Sequence, residues 1–259
     1  MRDNIGNRMK ENYENPAKTR LMKRVPVIVR LDMRAGHTFT KGFDKPFDEV
    51  FMYSMIDTTN YLVNSTQGCT LGYVQSDEIS LLLTDYATFT SEPYFDYEVE
   101  KICSTLASTA TLRFNRAFSY HYASYRETTV NPLTELLQAY NTAEDRGATF
   151  DCRCFNIPKE EVTNYFLWRQ LDAIRNSIQS LGRKYFSSKA LYGLNCNEIK
   201  ALLKECFQVD WDDLYVTEKR GTFITRGGSD LEYMSTFYPD LRVAADRELL
   251  KKYIYIEQE

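Results

Sequence analysis

The chain has 259 residues, 43% of them apolar, and carries a net charge of −4. That length allows one large domain or a domain with an appendage, and the apolar share suits a packed core. No apolar run approaches the ~18 residues of a membrane span, and the mild acidity argues against a wholly nucleic-acid-coated surface.

The opening Met1-Arg-Asp-Asn-Ile lacks the apolar segment of a secretory signal, so a soluble, cytoplasmic protein is expected. Six cysteines without a CxxC pair, and only two histidines (His37 and His121), favour buried reduced thiols over a zinc site.

In chain order, a basic cluster (Lys18, Arg20, Lys23, Arg24) precedes the first strand, residues 25–32, where apolar residues alternate. Pro46 predicts a helix start with Asp48 and Glu49 in its first turn. Phe47, Phe51, Met55, Thr58 and Leu62 give that helix one apolar face. Runs at 69–75 and 78–84 predict a hairpin around Ser76-Asp77-Glu78. Val99, Ile102, Cys103, Leu106, Ala110 and Phe114 predict a second amphipathic helix, and 150–155 a fourth strand.

The order βαββαβ is the ferredoxin-like motif. The fold class expected is therefore α/β (α+β): a palm domain with an antiparallel sheet over residues 1–157, and a C-terminal helical and β extension over 158–259. In that motif the first and third strands are central neighbours. Helices should cover one sheet face and leave the other open for a ligand.

Asp32 closes the first strand and Asp77 opens the third, so the two acids should meet. Magnesium takes hard oxygen ligands, commonly one or two carboxylates with phosphates and waters. Two such ions can activate an attacking oxygen and neutralise a leaving one. Taken singly, each acid reads more readily as turn chemistry; jointly with the topology they read as a metal pair, with Glu78 a further candidate.

Beyond the palm, the helix over 160–181 carries Leu167, Leu171, Ile174, Ile178 and Leu181 on one stripe. Arg169, Asp172 and Asn176 share another face, suited to a triphosphate or to a solvated ion-pair row. Arg183-Lys184 and the basic turn Lys219-Arg220-Gly221-Thr222 are candidate RNA contacts beside Lys23 and Arg24. Residues 226–259 show no recognisable motif, but Leu249-Leu250 and Tyr253-Ile-Tyr-Ile could dock on the core or form an interface.

Three ordered blocks carry a resemblance: Arg30-Leu-Asp32-Met-Arg34-Ala-Gly-His37-Thr-Phe39, then Phe43-Asp-Lys45-Pro46-Phe-Asp48, then Gly72-Tyr-Val-Gln-Ser76-Asp77-Glu78-Ile-Ser80. They resemble the tRNA-His guanylyltransferase family, more closely its bacterial and archaeal like-proteins. Thinner matches follow at Asp151-Cys-Arg153, Trp168-Arg169-Gln170-x-Asp172, Asn176, Asn197-Glu198-Ile199 and Lys219-Arg220-Gly221-Thr222.

The resemblance implies 3′-to-5′ nucleotide addition at a tRNA 5′ end, with two Mg2+ ions and nucleoside triphosphates (ATP or GTP), in a homotetramer built as a dimer of dimers. It implies metal ligation by Asp32, Asp77 and the Met33 carbonyl, and catalytic roles for Ser76, Glu78, His37 and Lys45. Nucleotide contacts would come from Arg30, Arg34, His37, Lys45, Arg169, Asp172 and Asn176.

Three positions depart from the family. Met33 stands at a usual glycine, Gly36 at a usual aromatic, and Ile174 at the first histidine of a eukaryotic His-Ile-Asn-Asn motif. The last favours repair of 5′-truncated tRNA over guanosine addition to tRNA-His. A palm-type nucleotide cyclase and a non-catalytic tRNA-binding module are the alternatives.

Overall fold

A computed structural model describes residues 5–226 and 235–256. Six antiparallel strands form one sheet in the order β4-β1-β3-β2-β5-β6. The strands are β1 (Val27–Met33), β2 (Cys69–Gln75), β3 (Glu78–Leu83), β4 (Phe150–Asn156), β5 (Thr222–Thr225) and β6 (Ser235–Phe237). The first four keep the ferredoxin-like order, with β1 and β3 adjacent as expected. The last two extend the sheet beyond β2.

The nine α-helices among the described residues are α1 (Ile5–Met9), α2 (Gly36–Phe39), α3 (Glu49–Ser65), α4 (Val99–Thr128), α5 (Thr134–Arg146), α6 (Lys159–Tyr185), α7 (Cys196–Phe207), α8 (Val216–Arg220) and α9 (Ala244–Ile254). Pro46 does not start a helix: it follows a cis Lys45–Pro46 peptide in the preceding loop. Asp48 instead caps α3, its carboxylate accepting from the Phe51 amide at 2.9 Å. The α4 stripe continues past Phe114 through Phe118 and Tyr122, so the helix runs to Thr128. Lys219 and Arg220 end helix α8 rather than forming a hairpin turn. Gly221 stops that helix at φ +74, where a Cβ would lie 2.5 Å from the Val74 carbonyl oxygen.

Strand alternation divides the core. Val27, Val29, Leu31 and Met33 face α3 and α4, packing with Met55, Leu62, Leu106 and Phe114. Ile28, Leu71, Tyr73 and Leu82 face the other way, against Val162, Tyr165 and Phe166 of α6 and Leu250 and Ile254 of α9. The second face is thus not left open. Helices α6 and α9 cover β2, β3 and the Ile28 end of β1, while Asp151, Arg153 and Phe155 of β4 stay exposed. This second core joins residues from both halves of the chain. The far half of α6 packs on α7 through Ile174, Ile178, Leu181, Ile199 and Leu203.

The tail docks as well as its apolar letters allow. Leu250 and Ile254 are buried while Leu249 and Tyr255 face outward. No described helix is long and apolar enough to cross a membrane.

Candidate active site

The β1–β3 register sets Asp32 opposite Glu78, and the Met33 amide donates to the Asp77 carbonyl at 3.0 Å. The two-residue hairpin Ser76-Asp77 is thereby tied to the end of β1. Ser76 takes φ +49 to make that turn, and Ala35 takes φ +55 just beyond β1. Non-glycine residues in the left-handed region cost free energy and cluster at functional sites.

The Asp77 carboxylate leans over Gly36, its Oδ2 lying 2.2 Å from where a Cβ at that glycine would stand. Asp77 has no hydrogen-bond or ion-pair partner among the described side chains.

Burial raises the Asp32 carboxyl above its ordinary range, and the charges of Asp77 and Asp151 raise it further against Arg30 and Arg153. Asp151 is a neighbour that sequence patterning did not single out as a site residue; it sits opposite Asp32 across the β1–β4 ladder. Like charges gathered at strand ends favour a cation.

Among the described residues no three His, Cys, Asp or Glu side chains are grouped to hold a metal by themselves. Two carboxylates with a backbone carbonyl nevertheless match what magnesium takes from protein when phosphates and water complete its shell. The donor set of Asp32, Asp77 and Met33 fits that ion.

Linkage gives Asp32 a sign. Its proton is held more tightly folded than unfolded, so its stabilisation is present at low pH. That contribution is lost as pH rises from the unfolded value through the folded one. Asp32→Asn is expected to raise the melting temperature of chelator-treated protein at pH 7 by roughly 1–3 °C. The gain should vanish below about pH 4; an equal gain at both pH values would refute the charge argument.

Glu78 is placed differently from its turn neighbours. It is 5% exposed, accepting from Arg169 Nε at 2.6 Å and Nη2 at 2.9 Å and pairing with Arg30 Nη2 at 2.6 Å. Arg169, 4% exposed, also reaches Asp172 at 3.2 Å, which pairs in turn with Arg175. Glu78 and Arg169 are each other's partners, so neither is free for a metal or a phosphate in this arrangement.

His37 on α2 is exposed, and exposed Lys45 reaches only the Thr40 carbonyl, at 3.5 Å. Arg34 is exposed beside them, its amide held by the Thr149 carbonyl at 2.8 Å. Exposed Asn176 lies 3.4 Å from Asp172 and lines a cavity that also meets Ser76, Gln75, Phe47 and Met52. That cavity has an apolar floor from α3 and a polar rim from α6. No spacing rule groups those residues, because they come from five separate elements.

The basic candidates are dispersed. Lys23 pairs with Asp96 at 2.5 Å. The Arg24 amide is bound by the Asp85 carboxylate and its guanidinium by the Asp85, Thr88 and Phe89 carbonyls. Lys219 donates to the Asp212 carbonyl, and Arg220 lies 3.4 Å from Asp240. Arg183 and Lys184 remain exposed, but 14 residues of helix set Arg183 ~21 Å from Arg169.

The sequence profile of the tRNAHis guanylyltransferase family matches residues 6–158, more than half of the chain. The chain belongs to the tRNAHis guanylyltransferase family. It is a nucleotidyltransferase of that family.

A bacterial tRNAHis guanylyltransferase-like protein in complex with ATP is 36% identical, covering 97% of this chain and 99% of its own, with a TM-score of 0.80. A GTP complex of such a protein is 34% identical over the same shares, with a TM-score of 0.71. An uncharacterised protein of Acanthamoeba polyphaga mimivirus is 28% identical over 86% of this chain and 77% of its own length. A probable tRNAHis guanylyltransferase of Dictyostelium discoideum is 26% identical over 61% of this chain and 54% of its own.

The three departures from the tRNAHis guanylyltransferase pattern now have physical readings. Met33 is the last residue of β1 and lies outside the left-handed region, and its side chain is 3% exposed in the core. Methionine therefore costs no backbone strain there. Ile174 is buried with Ile178, Ile199 and Trp211 and serves packing. Gly36 leaves the space that the Asp77 carboxylate occupies. Gly36→Ala is expected to push Asp77 out of that space and change Mn2+ affinity at least threefold, about 0.6 kcal/mol, read by titration calorimetry. Unchanged affinity would show the contact to be incidental.

Proposed function

We propose that this protein adds nucleotides in the 3′-to-5′ direction to the 5′ end of tRNA, copying the opposite strand, and that its task is repair of 5′-truncated tRNA. A 5′-monophosphate oxygen first attacks the α-phosphate of a nucleoside triphosphate, releasing pyrophosphate. The 3′-hydroxyl of an incoming nucleotide then attacks the activated 5′ phosphate, releasing the activating nucleoside monophosphate. Both steps are transfers at phosphorus, where positioning and charge neutralisation supply most of the catalysis.

The observation that carries this reading is the pair of strand-end carboxylates, Asp32 and Asp77, held together by the Met33–Asp77 hydrogen bond. A cavity reaches Ser76, the chain neighbour of Asp77. Two Mg2+ ions held by Asp32, Asp77 and the Met33 carbonyl would supply charge neutralisation and an activated attacking oxygen. Arg34, His37 and Lys45, all exposed on the segment between β1 and α3, would receive the triphosphate. The α3–α6 cavity accepts its base against Phe47 and Met52. The ATP and GTP complexes of the bacterial neighbours support a nucleotide at this fold's site.

Template-directed repair is favoured over single-guanosine addition because Ile174 offers no imidazole and is buried. Homotetrameric assembly belongs to the same reading, and light scattering of the purified protein tests it.

The deciding experiment supplies purified protein with magnesium, four nucleoside triphosphates and a tRNA lacking its first 5′ nucleotides. Products are resolved to single nucleotides. Extension should follow the 3′ strand and stop when pairing is complete. A single guanosine added whatever the opposing base would establish the tRNA-His maturation activity instead, and no extension would refute the proposal.

A further inference from the structure

Trp168 is 52% exposed, although the same turn of α6 buries Tyr165 and Phe166 in the second core. It belongs to a row of rings. Phe155 on β4 meets Tyr165 edge-on at 6.0 Å, and Tyr165 meets Trp168 at 5.9 Å. Leu171, 46% exposed, continues the strip one helical turn on.

The row is held from behind. Tyr165 shares a 2.8 Å hydrogen bond with Ser80. The Arg169 guanidinium, fixed by Glu78, lies 4.4 Å from the Trp168 ring centroid, and Arg30 lies at 5.9 Å. A rigid aromatic surface loses little entropy when something binds to it.

Its position is as informative as its chemistry. Arg30 and Asp32 lie on one face of β1, two residues and about 7 Å apart. The ring beside Arg30 therefore borders the strand end that carries the candidate metal ligand. Across β1–β4, Arg153 stands opposite Arg30, and Arg175 follows on α6. Both are exposed, and among the described residues they pair with Asp151 and Asp172 on their own elements alone. Exposed pairs of that kind are worth little, so a phosphate can compete for either arginine. Charged residues border the apolar strip, which suits a single planar group better than a broad protein interface.

We propose that Trp168 is a stacking platform for an unpaired base at the RNA end, with Arg153 and Arg175 flanking its backbone. Aromatic faces accept every base, because each has a π surface, as template-directed addition requires of a subsite that must not read sequence. This deepens the proposed function and rests on it for the identity of the RNA.

Trp168 is its own reporter, since the chain's other tryptophan, Trp211, is 2% exposed. Acrylamide quenching of tryptophan emission is measured on the full chain with two hairpin RNAs, one with an unpaired 3′ overhang and one blunt. The overhang hairpin should shield Trp168 and the blunt one should not. Trp168→Ala should weaken binding of the overhang hairpin about tenfold, and Trp168→Phe, which keeps a ring, by clearly less.

Overhang RNA that binds while Trp168 stays quenchable, equal affinity in the alanine variant, or no binding of either hairpin would overturn the platform. Shielding that exists before RNA is added and disappears on dilution would assign the surface to a second copy of the chain, also overturning it. Shielding without nucleotide addition would refute the proposed function alone, and addition with a quenchable Trp168 would refute the platform alone.

Discussion

Asp77→Ala is expected to lower nucleotide addition by about 10³-fold or more, with the circular dichroism spectrum unchanged. A bound metal supplies several kcal/mol of charge stabilisation in the transition state, and each 1.36 kcal/mol is a factor of ten in rate. The carboxylate has no partner among the described side chains, so its removal leaves nothing unsatisfied. The backbone carbonyl that accepts from Met33 is retained in the variant.

Removing the negative charge also relieves the repulsion that helps raise the Asp32 carboxyl. The metal-free variant should therefore melt no lower than the parent. Near-parental addition by this variant would remove Asp77 from the metal pair and, with it, the basis of the proposed chemistry. Loss of activity together with loss of folded structure would instead make Asp77 a fold residue.

Much of the palm was legible because its signals are local. Alternation at Val27, Val29 and Leu31 marks β1, and two β-rich runs around Ser76-Asp77 mark the hairpin. Neighbouring strands then follow from topology, which is why two acids 45 positions apart could be expected together. The end of α4 and the whole of α5 were not legible. Only Leu136, Tyr140 and Ala143 of α5 are buried, too few to stand out as a stripe. Helix α7 buries only Ile199 and Leu203 and packs on α6 rather than on the sheet. Its Asn195–Glu198 capping box is the local signal that could have found it.

Charge was the least readable property, because a charged side chain looks alike in sequence whether it faces solvent or a buried partner. Lys23 and Arg24 read as an RNA patch, yet Asp96 and Asp85, more than 60 residues away, engage them. Arg169 read as a phosphate ligand on a helix face, yet its carboxylate partner is 91 residues distant on β3. The exposed ring of Trp168 was visible as a letter of a motif. Its exposure depends on how far α6 reaches across the sheet, and that is set by tertiary packing.

The Glu78 cluster tests that distinction most sharply. Burial pushes the Glu78 carboxyl above its ordinary range, while Arg169 and Arg30 pull it back. Two permanently charged guanidiniums within hydrogen-bond reach stabilise its ionised form. Glu78→Ala should destabilise the protein by about 3–5 kcal/mol, lowering the melting temperature by roughly 10 °C. The loss comes mainly from leaving the buried Arg169 guanidinium with Asp172 as its remaining carboxylate.

A double change to Glu78→Leu with Arg169→Met should be milder than Glu78→Ala alone, because it removes the charge along with its partner. Metal affinity separates the roles. Held well below its melting temperature, Glu78→Ala should bind Mn2+ within a few-fold of the parent, whereas Asp77→Ala should not. A Glu78→Ala protein that melts normally but has lost its metal would return this carboxylate to the ligand set, and Arg169 to the pool of candidate phosphate contacts.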